Sequence, residues 1–182
     1  MIEQILEFAR LEKLQSRIEN SETSLSETIH TAVTDLTPAA QEKDISVKLD
    51  LSETLPALRA DPQTLYQIVQ NLLANAMKFS AAGSVVTIRC RLDDERRIVL
   101  SIQDSGIGIS PELIESITQP FWQRPGAMTS SREGVGLGLA IVKTHVEAHE
   151  ASMDVDSTPG SGTIVTITFP ASRTVLAGSS AR

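Results

Sequence analysis

Asn71-Leu72-Leu73-Ala74-Asn75-Ala76-Met77-Lys78-Phe79-Ser80 is the stretch on which the reading of this 182-residue chain turns. It lies inside the strongest helical pattern of the sequence. Asp61-Pro62 supplies an N-cap and a proline suited to the first turn, and Ala82-Gly83 ends the run after about Phe79. On a helical wheel Leu65, Ile68, Val69, Leu72, Leu73, Ala76 and Phe79 share one side, while Gln67, Asn71, Asn75 and Lys78 share the other. A solvated polar face would account for any one of these four. Two asparagines one turn apart fit that account less well, because Asn is a poor interior helix residue where Gln, Glu or Lys would solvate equally. An amide oxygen can ligate a hard cation such as Mg²⁺, and a lysine one turn further on can meet phosphate.

Outward from this helix, Ser84 to Leu92 and Arg97 to Gln103 alternate as two strands around the polar turn Asp93-Asp94-Glu95-Arg96. Asp104-Ser105-Gly106-Ile107-Gly108-Ile109 follows at once. Those glycines could simply make a tight turn. They could also place a carboxylate at a pocket mouth, where backbone approaches a ligand and the acid accepts from the amino group of adenine. Gly134-Val135-Gly136-Leu137-Gly138-Leu139 then opens a helix running from Leu137 to His149. Glycine amides at a helix start favour phosphate. This is not a P-loop, since no GxxxxGK[ST] occurs, and the third glycine of a dinucleotide fingerprint is missing. The segment between the two glycine motifs reads as a lid, mobile from about Pro120 to Glu133, with Trp122 inside it. A short helix from Pro111 to about Ile117 interrupts it, and strands Ser152 to Ser157 and Thr163 to Phe169 complete the pattern.

Upstream, residues 1–20 carry Ile2, Ile5, Leu6, Ala9, Leu14 and Ile18 at helical spacing. A polar break precedes a second helix, capped by Ser26 and interrupted or restarted at Pro38, and Ile45 to Leu51 alternates as a strand. Residues 171–182 read as a flexible tail. The net charge of −7, without a basic block, argues against nucleic acid. No run reaches the roughly 18 apolar residues of a membrane span, so this segment is expected to be cytoplasmic and to make no membrane contact, though a parent protein could be membrane-anchored. The one cysteine, Cys90, falls on the apolar face of its strand and is expected to be a buried free thiol.

In this order and spacing, the Asn71–Ser80, Asp104–Ile109 and Gly134–Leu139 stretches resemble the N, G1 and G2 boxes of sensor histidine kinase catalytic domains, within the superfamily that also includes gyrase and MutL. Ser157-Thr158-Pro159-Gly160-Ser161-Gly162-Thr163 is similar to the family's closing hairpin, Pro120-Phe121-Trp122 to its F box, and Glu7 to Glu12 to the end of its second dimerisation helix. The resemblance implies an α/β two-layer sandwich of the Bergerat ATP-binding type, with a mixed sheet and helices on one face. It divides the chain into residues 1–20 (end of the dimerisation helix), 21–43 (connecting helix), 44–170 (ATP-binding catalytic domain) and 171–182 (tail).

The same resemblance implies ATP and Mg²⁺ as ligands. Asn75, helped by Asn71, would hold the metal, Lys78 would contact phosphate, and Asp104 would bind the adenine amino group. Gly106 and Gly108 would shape the base pocket, and Gly134, Gly136, Leu137 and Gly138 the phosphate side. Arg132 is a candidate cation for the γ-phosphate, because Gln123 stands where many members carry arginine. The implied partners are the dimerisation and histidine-phosphotransfer helices of a homodimeric parent, with a response regulator downstream. His30, His145 and His149 all lack the His-Glu-x-x-Thr-Pro context of an acceptor, so the nucleophile is expected elsewhere. Three other readings stay open: a nucleotide-binding pseudokinase module, an anti-sigma serine kinase, and an ATPase of the superfamily. The last is disfavoured because Asn71 stands where those ATPases place a water-activating glutamate.

Overall fold

Ser24 and Asp61 set the starts of the two long helices. In the computed structural model, which describes residues 20–123 and 136–175, helix α1 spans Leu25–Glu42 and helix α2 spans Pro62–Phe79. The Ser24 hydroxyl accepts from the Glu27 amide at 3.2 Å, and the Asp61 carboxylate accepts from the Thr64 amide at 2.8 Å. Each cap satisfies a donor that the helix itself leaves open. The sequence reading put the first cap two residues later, at Ser26. It also had Pro38 interrupt α1 or start a last turn; the helix runs through that proline to Glu42. Leu25, Ile29 and Ala32 on α1 are buried, and α1 packs along α2. The segment expected to be a connector is therefore a layer of the core.

A five-stranded mixed sheet backs these helices, with β2 (Ser46–Leu51), β4 (Val85–Leu92), β5 (Ile98–Gln103), β6 (Ser152–Thr158) and β7 (Gly162–Phe169) in the order β2-β4-β5-β7-β6. Only β2 and β4 run parallel; the other neighbours are antiparallel. Alternation sends Val86, Ile88 and Cys90 of β4, Ile98, Leu100 and Ile102 of β5, and Ile167 and Phe169 of β7 into the core. There they join Leu65, Ile68, Val69, Leu72, Leu73 and Ala76 of α2. Full burial of each large aliphatic side chain contributes about 1.5–3 kcal/mol, so this single interface dominates stability. Cys90 is buried as expected, and its thiol is pushed up to about 12 by loss of water, which leaves it unreactive. A third helix, α3 (Gly138–Ala148), lies beside α2.

A second, smaller sheet was not foreseen. Strands β1 (Ser21–Thr23), β3 (Ala57–Ala60) and β8 (Thr174–Val175) pair antiparallel with β3 at the centre. Of the flexible tail expected over residues 171–182, Ala171–Arg173 instead form a 3₁₀ turn that leads into β8, and residues 176–182 lie outside the described residues. Thr174 secures that turn by donating its hydroxyl to the Arg96 carbonyl at 2.9 Å. Among the described residues no helix is long and apolar enough to cross a membrane.

Candidate functional site

Three backbone meetings assemble the site from α2, the loop after β5 and the start of α3. The first is between α2 and α3. A Cβ placed on Gly138 would lie 3.2 Å from Asn71 Oδ1 and 3.5 Å from Asn75 Nδ2, so the first residue of α3 faces both amides. Asn71 donates its Nδ2 to the Gln67 carbonyl one turn back at 2.8 Å. That bond to its own helix turns Oδ1 away from α2 and toward α3. Lys78 stands one turn after Asn75, its Nζ 5.0 Å from the centre of the Phe79 ring.

The second meeting joins the end of α2 to the glycine loop. Gly106 sits against the Phe79 carbonyl, where any Cβ would collide with main chain, and the Ile107 amide donates to that carbonyl at 3.3 Å. Phe79 was placed on the buried side by the helical wheel. It is 42% exposed, and Met77 is buried instead. A wheel assigns a side but not a neighbour, and the last residue of α2 has the glycine loop and not the sheet beside it.

Asp104 ends the run that begins with β5. Its amide donates to the Thr163 carbonyl at 2.9 Å, and its Oδ1 accepts from the Gly106 amide at 2.8 Å. Burial pushes its carboxyl above the ordinary aspartate value, and the Gly106 and Thr163 backbones partly oppose that rise. A half-buried acceptor held by main chain suits recognition of a fixed donor.

The closing hairpin is the third meeting, and its Ser157 has a role that sequence did not isolate. The Ser157 hydroxyl accepts from the Ile109 amide at 2.8 Å and donates to the Gly162 carbonyl at 2.8 Å, while the Gly160 amide donates to the Ile107 carbonyl at 2.8 Å. Gly108, at φ +64°, packs against the Thr158 carbonyl, a placement that only glycine meets without strain or collision. A serine before Pro-Gly reads as ordinary turn chemistry, so nothing in the sequence flagged it.

Toward the other glycine motif, Gly136 adopts φ +77° against the Trp122 carbonyl. Leu137 is 1% exposed, so its side chain belongs to the core and only its backbone could meet a ligand. Arg132, Gly134 and most of the expected mobile lid lie outside the described residues. Asn71, Asn75 and Gly138 thus meet where α2 passes the start of α3, and Asp104 and Gly106 gather at the C-terminal end of α2, while Gly136 packs on the Trp122 backbone. The histidines do not join them. His30 is exposed on α1, while His145 and His149 are buried on and just after α3. Grooves along α3 lined by Thr118, Lys143 and Glu147, among others, include none of the site residues.

The donor chemistry fits a magnesium ion held mainly by its ligand. Among the described residues no group of three or more His, Cys, Asp or Glu could make an all-protein metal cage. The two neutral amides, Asn71 and Asn75, beside the start of α3 would supply part of the coordination of a hard cation, with phosphate and water supplying the rest.

A sandwich with these glycine crossings and paired amides defines a nucleotide-binding domain outside the P-loop class. Residues 60–173 match the family described as "Histidine kinase-, DNA gyrase B-, and HSP90-like ATPase", and the chain belongs to that family. Within it, the similarity is to histidine kinases. The "Cell-division control histidine kinase PdhS" of Brucella anthropi is 32% identical over 181 residues, covering 95% of this chain and 17% of that protein. The protein of the same name from Brucella abortus is 30% identical, with 95% and 18% covered. The chain therefore spans less than a fifth of the length of these relatives. Among solved structures, full-length ShkA in complex with AMPPNP superposes with a TM-score of 0.83 at 29% identity, covering 96% of this chain and 35% of that one. The mycobacterial sensor histidine kinase MprB does so with 0.70 at 29% identity, covering 83% and 97%.

Proposed function

We propose that this chain binds Mg-ATP and is the catalytic part of a kinase that transfers the γ-phosphoryl group to a histidine carried on a dimerisation helix. The observation that carries this reading is the placement of both amides, Asn71 and Asn75, against the first residue of α3. A helix start, the Asn71 amide oxygen and the Asn75 amide nitrogen then converge on one small volume, 3.2–3.5 Å from a Cβ placed on Gly138. At the far side, Asp104 would accept from the adenine amino group. Phe79, exposed beside Gly106, offers a flat apolar surface to the base. Lys78, and Arg132 from beyond the described residues, would meet phosphate oxygens.

The bond from the γ-phosphorus to the β–γ bridging oxygen would break as a bond to an imidazole nitrogen forms, releasing ADP and the imidazole proton. Magnesium would neutralise charge on the phosphates. The chain's own contribution is alignment. It holds the nucleotide by its base and its phosphates and leaves the terminal phosphate open to an incoming nucleophile. Asn71 cannot take a proton from water, which keeps hydrolysis from competing with transfer. The histidine-bearing helices, a second copy of the parent and a response regulator are the partners this reading requires. A longer parent with further domains is consistent with the small share of the relatives that this chain spans.

Calorimetric titration with AMPPNP tests the reading. Binding should need Mg²⁺ in the parent chain, and Asn75→Ala should remove both that dependence and most of the affinity. Equal binding in excess chelator and in the variant would refute the metal assignment.

A further inference from the structure

Arg173 has no part in the nucleotide site, yet its side chain is only 11% exposed. Its Nη1 donates to Asn20 Oδ1 at 2.8 Å and to the Arg59 carbonyl at 2.9 Å, and its Nη2 lies 3.1 Å from Glu150 Oε1. Its Nε is buried with no partner among the described residues. These acceptors come from three separate segments. Asn20 directly precedes β1, Arg59 lies in β3, and Glu150 follows the end of α3, where φ is +55° and the chain turns. Burying a guanidinium costs free energy that a neutral side chain would avoid. A planar fork does, however, fix several acceptors in one geometry, which neither lysine nor an apolar residue can do.

The segments so tied are the ones that join the nucleotide site to the N-terminal side. Helix α3 begins at Gly138 beside Asn71 and Asn75, and Glu150 lies just past its far end. Strand β1 follows residues 1–20, the part expected from its resemblance to be the end of a dimerisation helix. We propose that Arg173 is a positioning residue for phosphoryl transfer: it fixes Asn20 and β1, where the chain enters the domain, relative to the far end of α3. This rests on the kinase reading above. In-line transfer tolerates little misplacement of its partners, so a looser junction lowers the rate without touching nucleotide affinity.

The test uses Arg173→Gln, Arg173→Lys and Asn20→Ala in the 182-residue chain, with hydrogen exchange and AMPPNP titration. In Arg173→Gln, amides of Ser21–Thr23 should exchange about tenfold faster, while the buried amides of α2 and the AMPPNP affinity stay within about twofold. Asn20→Ala should reproduce part of the effect. Unchanged exchange in β1 overturns the proposal, as does an equal acceleration across α2 and the large sheet, which marks a role in stability alone. In a chain that also carries the histidine helices, Arg173→Gln should lower kcat for labelling by about fivefold with KM for ATP unchanged, and Arg173→Lys should recover only part of it. An unchanged kcat refutes the positioning role. Failure of the unaltered chain to bind AMPPNP would sink the kinase reading, and the exchange comparison separates that outcome from failure of the Arg173 tie.

Discussion

Gly138 shows how one residue can set stability against function. It sits at the start of α3, where alanine would favour the helix by about 1 kcal/mol. A Cβ there would lie only 3.2 Å from Asn71 Oδ1, close enough that the amide must give way. Gly138→Ala should therefore hold or raise the melting temperature while weakening AMPPNP roughly tenfold, as the Asn71 amide is pushed off its position. Losses of affinity and stability in proportion would show that Gly138 only supports the fold. Asp104 makes a second case. Its acceptor is partly desolvated, so a base with a carbonyl where adenine has its amino group leaves buried polar atoms unpaired. Asp104→Asn should weaken ATP by about 1.5–3 kcal/mol, read by titration, and narrow the preference over GTP. Equal ATP and GTP affinity in the unaltered chain would remove Asp104 from base recognition. The candidates themselves came from residue type and spacing, because asparagines at i and i+4 and glycines after an acid each solve a local problem in a recognisable way. Ser157 did not, because its bond to the Ile109 amide joins residues 48 positions apart.

Legibility at the level of elements followed the strength of the local signal. Helix α2 has a proline-assisted cap and an unbroken apolar stripe, and it was placed to within a residue. Strands β1 and β8 are three and two residues long and gain their pairing only from β3, so no alternation announced them. The burial of His145 and His149 was likewise invisible, since α3 is apolar on more than one side. The two rings sit in a tight cluster. His149 Nδ1 lies 2.7 Å from the His145 carbonyl, its Nε2 accepts from the Asp61 amide at 3.3 Å, and its ring meets Phe169 edge-on. Burial lowers His145 to about 4, helped by His149 and opposed by Asp61; burial also lowers His149, with Arg173 adding to the effect, while the His145 carbonyl and Asp61 oppose it. Both rings are thus held neutral in the folded chain. The unfolded chain takes up protons from about pH 6.5 downward, so this contribution is complete above that pH and is lost as pH falls toward 4. For His145 alone the loss approaches about 3 kcal/mol at its lower limit. Urea midpoints measured from pH 7.5 to 4.5 should fall steeply for the unaltered chain. They should fall less for His145→Leu, whose lost Nε2 had no partner among the described residues. Parallel curves would place the acid sensitivity elsewhere.

On the scale of the whole molecule, the proposed function would have the chain hold one of the two reactants that phosphoryl transfer needs. On the proposed reading its amides, helix start and carboxylate would surround a nucleotide, while none of its three histidines stands in the sequence context of an acceptor. His145 and His149 are buried against α2 and β7, and His30 is exposed on α1 without the acceptor sequence context. Nor does it carry the ATPase glutamate one turn before Asn75, where Asn71 stands instead. The isolated chain should therefore bind ATP, release phosphate only slowly and fail to label itself. Supplying histidine-bearing dimerisation helices, in the same chain or in trans, should produce acid-labile, base-stable phosphorylation on their histidine, because nucleotide and nucleophile then meet in line. Asn75→Ala or Lys78→Ala should abolish that labelling, while Arg173→Gln should slow it and leave ATP binding intact. Radiolabel transfer followed by acid and base treatment reads every arm of this experiment. Labelling of His30, His145 or His149 in the chain alone would refute the division of labour argued here. Tight ATP binding with no transfer to the supplied helices would instead make the domain a nucleotide-sensing module.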